Sequence, residues 1–102
     1  MKVYNKLVRD LIPEVIKKSG KECDIEIANM EERRELLEAK LMEEVNEYLE
    51  DKNLEELADI MEVLFTLANN LGYTEEDLFN KRKEKFEERG GFKKGIILKK
   101  VY

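Results

Sequence analysis

The chain has 102 residues, a length for one domain rather than two, and a domain of that size buries somewhat over ~60% of its unfolded surface. Its 24 acidic and 19 basic side chains leave a net charge of −5, which weighs against a nucleic acid polymer as partner, because such binding prefers a basic footprint. Cys23 is the single cysteine and there is no histidine, so an intrachain disulfide and a zinc–thiolate cluster are excluded. No stretch reaches signal-peptide or membrane-span length, and the expectation is a cytoplasmic protein with no membrane partner. Abundant Glu and Lys, with no glutamine, is a heat-adapted style of composition.

In chain order, Asp10 reads as the N-cap of a first helix, with Pro13 tolerated in its first turn and Gly20 as its stop. Cys23-Asp24-Ile25-Glu26-Ile27 alternates as a short half-buried strand does. A long helix is expected from about Met30 to Asp51. The next starts at the cap Asn53 and ends at Gly72. Thr74-Glu75-Glu76-Asp77 resembles a capping box and opens a fourth helix, closed by Gly90-Gly91. Ile96-Ile97-Leu98, after Gly95, is a second candidate strand, to be paired with Cys23–Ile27 or with Met1–Tyr4. Only a residue or two around Lys52-Asn53 separates the two long helices, which makes them antiparallel neighbours. The expected fold is mainly α: an antiparallel helical hairpin within a four-helix-type bundle, with short extended segments near the termini and residues 1–102 as one domain.

The stretch EEVNEYLEDKNLEELAD, residues 43–59, carries the chemistry. A lone E-x-x-E is noise in so acidic a chain, and position on the helix is more telling. At about 100° per residue, Leu37, Leu41, Val45 and Tyr48 form the apolar stripe of the long helix, and Glu44 lies beside it. In the next helix a broad apolar arc runs from Leu57 to Leu71. Glu56 falls inside that arc and Asp59 sits at its edge. With a rise of about 1.5 Å per residue, Glu47 and Glu56 share one level of the hairpin and Glu44 and Asp59 the next. Helices pack roughly 8–10 Å apart, so the four carboxylates can converge. Four anions in a partly buried site repel or protonate unless a cation joins them. All-oxygen ligands select a hard ion, Mg2+ or Mn2+, and the lack of histidine disfavours a Glu-x-x-His di-iron bundle. The plain alternatives are that Glu56 closes a capping box on Asn53, that Glu44 pairs with Lys40 and that Glu47 is solvated.

Asn80 to Arg89 forms a basic stretch of the fourth helix. Arg82 and Arg89 share a face with Phe79 and Phe86, flanked by Lys83 and Lys85. Cations on a face that should pack inward suggest an anionic partner, and the alternative is that their stems snorkel past the phenylalanines. Carboxylate-held Mg2+ beside a cationic helix is what a polyphosphate needs.

Glu43-Glu44-x-x-Glu47 followed by Glu56-Leu57-Ala58-Asp59 resembles the E-E-x-x-E … E-x-x-D signature of MazG-like, all-α nucleoside triphosphate pyrophosphohydrolases, a superfamily that includes phosphoribosyl-ATP pyrophosphohydrolase. Tyr4 to Glu14 (YNKLVRDLIPE) looks like the opening of a small single-domain branch, and Arg89-Gly90-Gly91-Phe92 like its ending. The resemblance implies a helical homodimer or larger assembly. It also implies Mg2+-dependent cleavage of a nucleotide substrate between the α- and β-phosphates, giving a monophosphate and pyrophosphate. By motif match, Glu44, Glu47, Glu56 and Asp59 would be metal ligands, with Glu43, Glu44 and Glu47 as the catalytic acids and Glu43 either a ligand or an outer base. Lys83, Lys85 and Arg89 match more loosely as substrate-binding residues. For Lys6 and Arg9 no role is derived: an anion contact near the phosphates and a structural salt bridge stand as equal alternatives. A non-catalytic helical interaction module, with the acids as a solvated face, is the rival reading.

Overall fold

A computed structural model describes residues 5–102, and in it the protein is mainly helical. The helices are α1 (Ile12–Lys18), α2 (Met30–Asp51), α3 (Leu54–Asn70) and α4 (Glu75–Arg89).

The caps explain most of these boundaries. The Asn29 side chain accepts from the Glu32 N–H while Glu32 returns to the Asn29 N–H, a closed capping box at the start of α2. Thr74 and Asp77 close the same box on α4. α3 ends in a Schellman motif: the Tyr73 N–H reaches the Ala68 carbonyl and the Gly72 N–H reaches Asn69. Gly72 sits there at φ +97, which a Cβ would strain. α1 departs from expectation, because Leu11 and not Asp10 is its N-cap, with no side-chain cap bond. Pro13 presets the first turn, and a tight turn from the Arg9 carbonyl to the Ile12 N–H leads into it.

α2 and α3 form the hairpin. A single left-handed residue, Lys52 (φ 50, ψ 49), ends α2, and Asn53 caps α3 directly after it. α4 folds back onto α3 through Phe79, whose ring lies 5.4 Å from that of Phe65. α1 stands away from the other three helices. The segment before α1 crosses the hairpin instead, with Lys6 beside Glu43 of α2 and Arg9 on Asp59 of α3.

The two expected strands are not formed among the described residues. Cys23–Ile27 and Ile96–Leu98 run without ladder partners, and Ile96, Ile97 and Leu98 are 76–82% exposed. Alternation is a local signal, whereas a strand exists only when its N–H and C=O groups find a neighbour. The suggested pairing with Met1–Tyr4 lies outside the described residues.

Little of the chain is buried. Leu37, Val63 and Ala68 are the buried apolar side chains among the described residues, and the fourth buried residue is the carboxylate Glu44. Leu57, Met61 and Leu64 make an exposed stripe along α3 at the spacing of one helix face. The molecule extends over 62 × 31 × 22 Å with a radius of gyration of 17.9 Å, against about 13 Å for a compact chain of this length.

Candidate functional site

The long helix brings Glu43, Glu44 and Glu47 to one side of the hairpin, and α3 brings Glu56 and Asp59 to meet them. One carboxylate oxygen from each of Glu43, Glu44 and Glu47 lies within 4.8 Å of the others, and the same holds for Glu44, Glu56 and Asp59. Glu44 belongs to both groups and joins the two helices into one cluster. The side chains of Glu47 and Glu56 face each other across the hairpin. Lys83, Lys85 and Arg89 are exposed on α4, and no described ion pair or hydrogen bond carries them to the acids. Arg82 lies over the Phe86 ring at 5.7 Å and Lys81 pairs with Glu84 at 3.1 Å, so part of the basic run serves α4 itself.

Glu56 discriminates between capping and clustering. Its backbone N–H donates to the Asn53 side chain, yet its carboxylate does not return to the Asn53 N–H as Glu32 and Asp77 return to their caps. The side chain is turned toward Glu47, and one of its oxygens, Oε2, is buried with no hydrogen-bond partner. Glu44 is in the same condition. Only 6% of the residue is exposed, Oε1 is 3.5 Å from Lys40 Nζ, and Oε2 is buried without a partner. Such orphaned oxygens are rare in folded proteins.

The electrostatics follow from this crowding. Burial pushes the Glu44 carboxyl above its ordinary range, and Glu47 and Asp59 push it further, while Lys40 opposes them. Glu56 is also raised, by loss of water first, then by its contact with Glu47 and the charges of Asp51 and Asp59. In both cases the charged form is disfavoured by neighbours of the same sign.

Three cations border the cluster. Lys40 spans Glu43 and Glu44 at 3.5 Å from each, Lys6 lies 3.9 Å from Glu43, and Arg9 Nη2 donates to Asp59 Oδ1 at 2.6 Å. Among the described residues, five carboxylates therefore face three cations. The charge left over when all are ionised is that of one divalent cation. The two orphaned oxygens, the all-carboxylate donor set and this imbalance would suit a hard divalent ion at either group, Glu43, Glu44 and Glu47 or Glu44, Glu56 and Asp59. Lys6 and Arg9, for which the sequence leaves an anion contact or a structural salt bridge open, form salt bridges here, to Glu43 and Asp59. They are far from the acids along the chain, and the signal that could have found them is electrostatic: so dense a cluster needs cations, and Lys6 and Arg9 are the basic residues of the YNKLVRDLIPE block.

Comparison with family models, with curated proteins and with solved structures finds no match to this chain. No helix among the described residues is long and apolar enough to cross a membrane.

Proposed function

We propose that the protein is a divalent-metal-dependent nucleoside triphosphate pyrophosphohydrolase. The observation that carries the reading is Glu44: a carboxylate with an unpartnered oxygen, buried between two helices among four other carboxylates. The resemblance of the E-E-x-x-E … E-x-x-D stretch to the MazG-like signature directs that site toward phosphoric anhydrides.

Water attacks the α-phosphorus, the bond to the oxygen bridging α and β breaks, and the products are a nucleoside monophosphate and pyrophosphate. Glu44, Glu47, Glu56 and Asp59 would hold the ion. Mg2+, or Mn2+ in its place, supplies when bound the positive charge that phosphate oxygens require and polarises the P–O bond. Glu43 would be the outer base that takes the proton from water. It lies at the rim, less enclosed than Glu44, and Lys6 and Lys40 hold its two oxygens in position. Lys83, Lys85 and Arg89 remain candidates for the polyphosphate from α4.

The reading includes a homodimer. The chain exposes 9785 Å2, where a compact monomer of this mass exposes about 6,000 Å2, and the α3 stripe Leu57, Met61 and Leu64 is an apolar seam suited to a second copy.

The test is incubation of a nucleotide panel with Mg2+ in 18O-labelled water. Label in the monophosphate with release of pyrophosphate is the expected result. Orthophosphate with a nucleoside diphosphate would contradict it. A second reading, a non-catalytic helical oligomerisation module, is favoured by the same exposed apolar surface. Mg2+ titration of thermal stability separates the two, since a preformed site is stabilised by its ion and a solvated acidic face barely responds.

A further inference from the structure

We infer that Arg9 is a built-in counter-ion of the acidic site, one that a divalent cation displaces from Asp59 and that then turns to the phosphate of the substrate. The inference rests on the metal-site reading above and assigns a role to the segment before α1. The Arg9–Asp59 bond, at 2.6 Å, is the shortest ion pair described in the protein, and it bridges residues fifty positions apart. Asp59 also lies in the group with Glu44 and Glu56. Arg9 thus occupies a carboxylate that the ion needs. Glu44, nine-tenths buried with Oε2 unpartnered, marks the point inside the cluster that the guanidinium does not reach.

Exposure makes the exchange feasible. The Arg9 side chain is 57% exposed and Lys6, beside Glu43, 48%. Neither is locked in a dry pocket, and exposed pairs are weakly held. A divalent ion with several carboxylate ligands outcompetes one guanidinium for Asp59. The released fork then stands at the mouth of the cluster with five donors that match phosphate oxygens bidentately. A cation already at the metal site needs no domain movement to reach an anion bound to that metal. Only side-chain torsions change.

The experiment measures binding of Mg2+ alone by calorimetry, then binding of inorganic pyrophosphate at saturating Mg2+. Wild type is compared with Arg9→Ala and Arg9→Lys. Arg34→Ala, an exposed α2 cation away from the cluster's ion pairs, controls for net charge. Arg9→Ala is expected to bind Mg2+ about twofold to fivefold more tightly, the loss of one competing exposed ion pair, and to bind pyrophosphate about tenfold or more weakly. Arg9→Lys should lie between wild type and Arg9→Ala, and Arg34→Ala should match wild type. Equal Mg2+ affinity in wild type and Arg9→Ala, or undiminished pyrophosphate affinity, overturns the inference and leaves the metal site standing. If neither protein binds Mg2+, the metal reading falls and this inference with it.

Discussion

At the scale of single residues, the protein places like charges where folding would otherwise place leucine. Glu44 and Glu56 both have carboxyl groups raised above the ordinary value of 4.5. A carboxyl with a higher pKa folded than unfolded takes up a proton on folding, between its two values. The metal-free protein should therefore gain stability as pH falls from above the raised values toward about 4.5, with no further gain from these groups below it. Urea midpoints across pH, in chelator, read this directly. Glu44→Gln and Glu56→Gln should flatten the slope and raise stability above it, since amides keep the shape without the charge. Both should also lower kcat by about 100-fold or more if they carry the chemistry. Full activity in Glu56→Gln, with only helix stability reduced, would return Glu56 to a capping role.

At the scale of elements, the site depends on where α3 starts. Asn53 caps Glu56, and that cap fixes the rotation at which Glu56 and Asp59 leave the helix. Asn53→Ala should cost about 1 kcal/mol and should loosen Mg2+ binding as well, whereas Thr74→Ala, the equivalent cap on α4, should cost similar stability and leave the ion's affinity alone. Thermal melts with and without Mg2+ separate these. Lys52 gives a companion test: its left-handed backbone suits glycine, and Lys52→Gly should be neutral or stabilising by up to ~1 kcal/mol. The same elements explain what the sequence disclosed. The starts of α2, α3 and α4 were legible because Asn29, Asn53 and Thr74 satisfy helix N–H groups within three residues. The face bearing the acids was legible because 3.6-residue periodicity is equally local. The strands were not, since Ile25 and Ile97 alternate or cluster in sequence without a ladder partner among the described residues. For Lys6 and Arg9 a salt bridge was one of two open roles, but their partners Glu43 and Asp59 were not legible, because the contacts cross from one end of the chain to the hairpin.

At the scale of the whole molecule, the exposed apolar face of α3 is the surface that the proposed dimer would cover. Leu57, Met61 and Leu64 are between 40% and 46% exposed on one face of α3, and a stable interface removes about 800 Å2 from each partner. Light scattering at micromolar protein should give twice the chain mass, and the melting temperature should rise with concentration. Met61→Lys should reduce the mass to that of one chain. On a surface that faced only water, the same change would cost within about 0.5 kcal/mol and leave the mass as it was. A single-chain mass for the wild type would remove the dimer from the reading.

The one-residue bend at Lys52 also has a kinetic meaning. Every acid of the cluster lies between Glu43 and Asp59, so the loop that must close to assemble it is among the shortest the chain can make, and short loops close first. The hairpin is then the natural nucleus of folding, and mutual repulsion of its carboxylates is already felt in the transition state. Protonating them, or replacing Glu44 by Gln, should steepen the downhill run and speed refolding, with little change in the unfolding rate. Stopped-flow folding arms recorded at two pH values would show this, and an effect confined to the unfolding arm would mean that the helices pair first and the acids meet only afterwards.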